Sequence, residues 1–226
     1  MALTEKNFIS DAIGNLPAIV NNPIVTETFS EFLGLQHLYD SAIKTVETHL
    51  GILDGEFSVK FQRNPIHSVD SRLKSANSII EKLQKKGLAV TPDSAMRNLL
   101  DIAGVRVTCY YIEDIYTIAH LITCHHEFVT MKIKDYILNP KASGYRSYHI
   151  VVNVPVYLSD KRRYAPVEIQ IRTIAMDFWA SLEHQLKYKY GGHITEEIAM
   201  QLKECADTIS ETDKKMQSIY FRLGSA

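Results

Sequence analysis

The sequence is poor in cysteine, has no surplus of charge of either sign and carries no long apolar run. Its three cysteines, Cys109, Cys124 and Cys205, are scattered and include no CxxC pair. That argues against a disulfide framework and a cysteine-ligated zinc site, and leaves them as reduced, buried small residues. Lys and Arg number 25 against 26 Asp and Glu. A broad basic surface for stable nucleic-acid binding is therefore not expected, and anion chemistry must come from local clusters. No apolar stretch approaches the ~20 residues of a membrane span, and the start MALTEKNF lacks the basic and apolar regions of a signal peptide. A soluble cytoplasmic protein is the expectation. A G-x-x-x-x-G-K-[ST] run is absent, so any phosphate site is not a P-loop. Repeats, linkers and low-complexity tracts are absent too. One domain over 1–226 is expected, with a core over 60–190, an N-terminal helical extension over 1–59 and a C-terminal helix within 191–226.

Apolar positions Phe29, Phe32, Leu33, Leu38, Ala42, Ile43, Val46 and Leu50 predict a helix over 27–52, with Gly51 near its end. A second helix is predicted over 68–86, stopped by Gly87, and a third from the T-P-D-S of 91–94 to Leu100. Four strands are predicted at 105–111, 128–136, 146–158 and 164–173, rich in β-branched and aromatic residues, with a helix over 113–124 between the first two. Another helix covers 174–190. The last, over 194–223, carries a heptad-like seam at Ile194, Ile198, Leu202, Cys205, Ile209, Thr212, Met216, Ile219 and Leu223. That seam either packs on its own domain or forms a subunit interface. The order of elements fits an α/β or α+β sandwich with a helix-covered sheet.

Chemistry concentrates where strands are predicted. In V-E-I-Q-I-R-T, period-two alternation puts Glu168, Gln170 and Arg172 on one face while Val167, Ile169 and Ile171 face the core. Tyr145, Ser147 and His149 alternate in the same way on the preceding segment. Asp101 stands where a helix gives way to a strand, suited to hold Mg²⁺ or simply to satisfy a turn. Lys74, Ser78 and Lys82 would share one face of the second helix, with Arg72 half a turn before, as a triphosphate cradle. Lys132, Lys134 and Lys141 form a second cationic group, and Tyr145, after Ser143-Gly144, could stack on a purine at ~1–3 kcal/mol.

The runs R-L-K-S-A-N-S-I-I-E-K-L, D-I-A-G-V-R, K-I-K-D-Y-I, S-G-Y-R-S-Y-H and E-I-Q-I-R-T-I-A-M-D-F-W-A-S-L-E-H, in that order, resemble the (p)ppGpp synthetase domain of RelA/SpoT-type enzymes. The likeness is to the single-domain small alarmone synthetases, and the last run resembles the RelP subgroup. It implies a nucleotidyltransferase-like mixed sheet and Mg²⁺-dependent transfer of pyrophosphate from ATP to the 3′-hydroxyl of GDP or GTP. Arg72 and Arg106 would flank adenine, and Lys74, Ser78 and Lys82 would hold the ATP phosphates. Asp101 would bind Mg²⁺, with Glu168 activating the 3′-hydroxyl or serving as a second metal ligand. Tyr145 would stack on guanine, with Lys132, Lys134, Lys141, His149, Gln170 and Arg172 completing the acceptor site. The family's hydrolase domain uses a His-Asp pair, and no His-Asp dipeptide occurs here, so synthesis without hydrolysis is expected. Small members are commonly homotetramers, which gives the terminal seam a role. Two other readings remain: the same transfer to an adenine nucleotide or a tRNA 3′ end, and a non-catalytic nucleotide- or RNA-binding oligomer.

Overall fold

The computed structural model describes residues 23–189 and 195–224. In chain order they form α1 (Pro23–Phe61), β1 (Ile66–Leu73), α2 (Ala76–Lys85), α3 (Pro92–Asn98), β2 (Ala103–Cys109), α4 (Ile112–Thr123), β3 (Val129–Asp135), β4 (Tyr148–Tyr157), β5 (Arg162–Thr173), α5 (Ile174–Lys189) and α6 (Glu196–Gly224). The expected extension before residue 23 and the seam position Ile194 lie outside the described residues.

The strands make one five-stranded mixed sheet, ordered β1-β2-β5-β4-β3. Only β2 and β5 run parallel; the other neighbours are antiparallel. Val105 and Val107 of β2, Ile150, Val152 and Val154 of β4, and Val167, Ile169 and Ile171 of β5 point to one face. There they join Leu38, Tyr39, Ala42, Val46 and Leu50 of α1 and Ile115, Ile118 and Ile122 of α4 in the main core. Each such buried Val, Leu or Ile side chain contributes about 1.5–3 kcal/mol relative to exposure. This face holds the fold and leaves the other free for chemistry. Among the described residues, no helix is long and apolar enough to cross a membrane.

Three expectations change. The helix predicted over 27–52 runs on to Phe61. Gly51 sits inside it, because buried Leu50 and Leu53 continue the packed stripe past a residue that costs only ~1 kcal/mol in a helix. Residues 68–73, expected to begin the second helix, belong instead to β1, a fifth strand. Their polar side chains lie on an exposed edge strand, and β1 exists because it pairs with β2, a long-range contact that local periodicity does not carry. Of the cysteines only Cys109 is buried, while Cys124 and Cys205 are exposed.

The terminal seam is displaced as well. On α6 the side turned to the domain is lined by Leu202, Ala206, Ile209, Asp213, Gln217 and Tyr220, whereas Ile198, Met216, Ile219 and Leu223 are exposed. Leu202 and Ile209 pack with Trp179, Ala180, Ala206 and Tyr145 in a second, smaller cluster. The helix thus presents two different stripes: one grips its own domain and the other faces outward.

Candidate active site

The open face of the sheet carries two rows of side chains that follow from the strand register. One row crosses from Asp70 through Arg106, Gln170 and His149 to Lys134; the next crosses from Arg72 through Gly104, Glu168 and Val151 to Lys132. Arg72, Arg106, Lys141, Tyr145, His149, Gln170 and Arg172 all line one cleft of about 700 Å³, walled on its far side by Ser181, Glu183, His184 and Lys187 of α5. Such a volume suits a nucleotide-sized ligand. Arg72 lies over Gly104, whose added methyl would meet Arg72 Cγ at 3.6 Å. That is ordinary contact, so a small residue there leaves the Arg72 side chain its place.

At one end of the rows, Lys74 Nζ donates to Asp101 Oδ2 at 2.8 Å and Lys82 Nζ donates to the same oxygen. Lys74 is not on the helix with Ser78 and Lys82. It stands between β1 and the N-cap Ser75, where its backbone N–H bonds Ile102 O at 2.8 Å. The i, i+4, i+8 face expected from a continuous helix is thereby replaced by a strand–helix junction that brings the same lysines together. Ser78 instead accepts from Ser75 Oγ at 2.9 Å, and no contact joins it to Asp101. Burial alone would raise the Asp101 carboxyl, but bonds and attraction from Lys74 and Lys82 outweigh it and hold the pKa below the ordinary value. Asp101 is therefore a stable anion.

Glu168 sits between the two ends. His149 Nδ1 lies 3.3 Å from its Oε1, and Gln170 Nε2 donates to Oε2 at 3.0 Å. The His149 contact lowers the Glu168 pKa most, against the effect of burial; Gln170 lowers it further, while the nearby Asp101 charge works the other way. The net shift is downward, so Glu168 is ionised at neutral pH.

At the other end, Tyr145 Oη lies 2.8 Å from His149 Nε2 and accepts from Arg172 Nη2 at 2.6 Å. Lys141 Nζ stands 4.6 Å from the Tyr145 ring and 4.8 Å from that of Tyr136. Lys134 lies 5.7 Å from Tyr136, while Lys132 is exposed and meets none of these groups. Arg172 is only 7% exposed and is held by Ser147 Oγ at 3.3 Å and Gln170 Oε1 at 2.8 Å. Tyr145 and Ser147 precede β4, so the loop rather than strand alternation places them. The Asp135 of K-I-K-D is occupied locally: Oδ1 accepts from Ile137 and Leu138 N–H, and Tyr116 donates to Oδ2. It holds a turn.

Glycine at 144 serves the terminal helix. Its φ is +88°, and an added Cβ would fall 2.6 Å from Ala206 Cβ. Beside it, Arg146 donates to Ala206 O at 3.2 Å and to Asp207 Oδ1 at 2.9 Å, so α6 clamps the loop that bears Lys141 and Tyr145. Sequence reading missed Tyr136, Arg146 and Asp177. Tyr136 adjoins the K-I-K-D run and Asp177 lies in a helix-forming run, but neither reveals its partners without the fold.

Comparison with known proteins places the chain in a family. Residues 71–193 match the region found in RelA/SpoT proteins. The chain is 41% identical over 182 residues to the GTP pyrophosphokinase YwaC of Bacillus subtilis, covering 80% of this chain and 87% of that one. It superposes on the small alarmone synthetase 2 of B. subtilis with a TM-score of 0.75 and 39% identity, over 83% of this chain and 97% of that one. The small alarmone synthetase 1 of the same organism, in complex with its product pppGpp, matches with a TM-score of 0.75 and 34% identity, over 82% and 94% of the two chains. With the family region matched over residues 71–193 and such relatives covered over most of their length, this chain belongs to the RelA/SpoT family and is similar to its small alarmone synthetases.

Proposed function

We propose that the protein is a GTP pyrophosphokinase that transfers the β,γ-pyrophosphate of ATP to the 3′-hydroxyl of GDP or GTP, giving ppGpp or pppGpp and AMP. The observation that carries this reading is the position of ionised Glu168 between the cationic cluster of Lys74 and Lys82 and the aromatic, cationic group of Tyr145, Lys141 and Arg172. The family relation supports it, since relatives such as YwaC are GTP pyrophosphokinases and one similar structure holds pppGpp.

In this reading Arg72 and Arg106 stack on adenine, where planar guanidinium groups suit a base face. Lys74 and Lys82 bind ATP phosphates, with Ser78 beside them. Tyr145 stacks on guanine, and Lys134 and Lys141 meet the acceptor's 5′-phosphates with Lys132 at the rim. His149, Gln170 and Arg172 fix Tyr145 and Glu168. Glu168 accepts a hydrogen bond from the 3′-hydroxyl. Its lowered pKa makes it a weak base, so it chiefly aligns the nucleophile, which suffices where catalysis rests on positioning and electrostatics.

The residues fit Mg²⁺. Asp101 and Glu168 offer hard carboxylate oxygens close enough to feel each other's charge. Among the described residues no cluster of three or more His, Cys, Asp or Glu forms an all-protein cage. One or two carboxylates completed by water and phosphate oxygens is the usual magnesium arrangement. When bound, Mg²⁺ offsets charge on the transferring group.

We further propose a homotetramer through the terminal helices, supported by the outward stripe of Ile198, Met216, Ile219 and Leu223 on α6. The deciding experiment for the activity incubates the protein with ATP labelled in the β,γ-phosphates and, separately, GDP, GTP, AMP or tRNA. Labelled ppGpp and pppGpp are expected; label on AMP or tRNA instead, or none at all, would overturn the proposal.

A further inference from the structure

One carboxylate touches both halves of the site and is used by neither. Asp177 lies in the first turn of α5. Its Oδ1 accepts from Arg172 Nη1 at 3.1 Å and stands 3.5 Å from Arg106 Nε. The first contact is a charge-assisted hydrogen bond; the second is too long for one. Arg106 Nε is nevertheless buried, and among the described residues it has no hydrogen-bond partner. A buried N–H of this kind is costly to leave unmade, and the carboxylate oxygen facing it, Asp177 Oδ1, stands closer to Arg172 Nη1, at 3.1 Å, than to Arg106 Nε, at 3.5 Å.

We infer that Asp177 is a positioning residue that couples the two nucleotide subsites, by dividing one oxygen between Arg172 on the acceptor side and Arg106 on the donor side. The inference rests on the assignment of Arg106 to ATP and Arg172 to the acceptor. Arg172 also donates to Tyr145 Oη and Gln170 Oε1, so an acceptor seated against that group draws on the guanidinium that now holds Asp177. Once released, Oδ1 can close the remaining gap to Arg106 Nε. That bond fixes the plane of the Arg106 guanidinium for stacking on adenine. Acceptor binding therefore tightens ATP binding, and linkage requires ATP to tighten acceptor binding by the same factor.

The test measures, by isothermal titration, the Kd of a non-hydrolysable ATP analogue with and without saturating GDP, in the wild type and in Asp177→Asn. In the wild type GDP should tighten the analogue about five-fold or more, the lower end of ordinary coupling between sites. In Asp177→Asn that ratio should fall towards one while each nucleotide alone still binds. A purely structural role would lower melting temperature or both single affinities and leave the ratio unchanged. Absence of coupling in the wild type, or a wild-type ratio in Asp177→Asn, overturns the inference. If Asp177→Asn does not fold, Asp177→Ser, which suits a first helical turn, is measured against the same two outcomes. Failure of the wild type to bind either nucleotide would instead refute the proposed activity.

Discussion

Replacing Gly144 by Ala tests whether the terminal helix holds the loop that bears Lys141 and Tyr145. The added methyl would lie 2.6 Å from Ala206 Cβ and 3.5 Å from Lys203 Cα, on a residue whose φ is +88°. The left-handed backbone costs an L-residue about 1–2 kcal/mol, and overpacking against a helix that cannot yield at its Cβ costs about 1–3 kcal/mol. Relaxation has one cheap route, which is to swing the loop off α6 and give up the Arg146 bonds to Ala206 and Asp207. Scanning fluorimetry should show a fall of about 4 °C or more, since 1 kcal/mol shifts Tm by about 2–4 °C in a chain of this size. Steady-state kinetics should show a raised KM for GDP with little change for ATP, because Lys141 and Tyr145 travel with the loop whereas Lys74, Lys82 and Asp101 do not. Ala206→Gly removes the clashing methyl at ~1 kcal/mol of helix propensity. The double variant should therefore relieve the clash and keep the backbone strain, giving a coupling of about 1–3 kcal/mol in a double-mutant cycle. Additive effects, or an unchanged KM for GDP in Gly144→Ala, would refute the clamp.

Glu168→Gln should remove most synthesis in the labelled assay while the protein melts close to wild type; near-normal turnover by the folded variant would show that the carboxylate is dispensable. Because His149 and Gln170 hold the Glu168 pKa down, the carboxylate stays ionised as pH falls and loses the stabilising contact only below the usual glutamate range, so its titration, followed by carbon-13 NMR, should move upward in His149→Ala. Asp213 has the opposite sign: burial raises its pKa despite the bond from Thr173 Oγ1 at 2.6 Å. The folded state thus holds a proton that the unfolded state releases, and stability falls as pH rises through that range. Asp213→Asn should melt about 2–4 °C higher at pH 7, the shift for ~1 kcal/mol, with the gain shrinking in acid. Ile219→Asp, on the outward stripe of α6, should reduce the mass found by light scattering; an unchanged mass would exclude that stripe as the interface.

Much of the site was legible because its residues recur at period two on one strand. Glu168, Gln170 and Arg172 needed only the apolar alternation of Val167, Ile169 and Ile171, all fully buried, to be placed on the open face. Asp101 was identifiable from its place where a helix gives way to a strand, and Lys74 and Lys82 by type and spacing, although they lie 27 and 19 residues from Asp101. Their geometry was not, since 68–73 carries no apolar stripe strong enough to separate an exposed edge strand from the start of a helix. The seam on α6 shows the same limit: spacing reveals apolar stripes, but contact alone decides which one turns inward.

The sequence by itself determined the family, the helix–strand order from residue 92 onward, and the candidates for stacking, phosphate binding and a metal, because side-chain chemistry and local period are written along the chain. Only the tertiary structure decided what those residues do to one another. Strand register sets Glu168 beside Gly104 and His149 beside Lys134. Helix α6 fixes the loop at Gly144 from more than sixty residues away, and the fold sets Asp177 between two arginines. Apart from Arg172, which lies five residues from Asp177, these are contacts between segments distant in sequence, whose distances follow from packing.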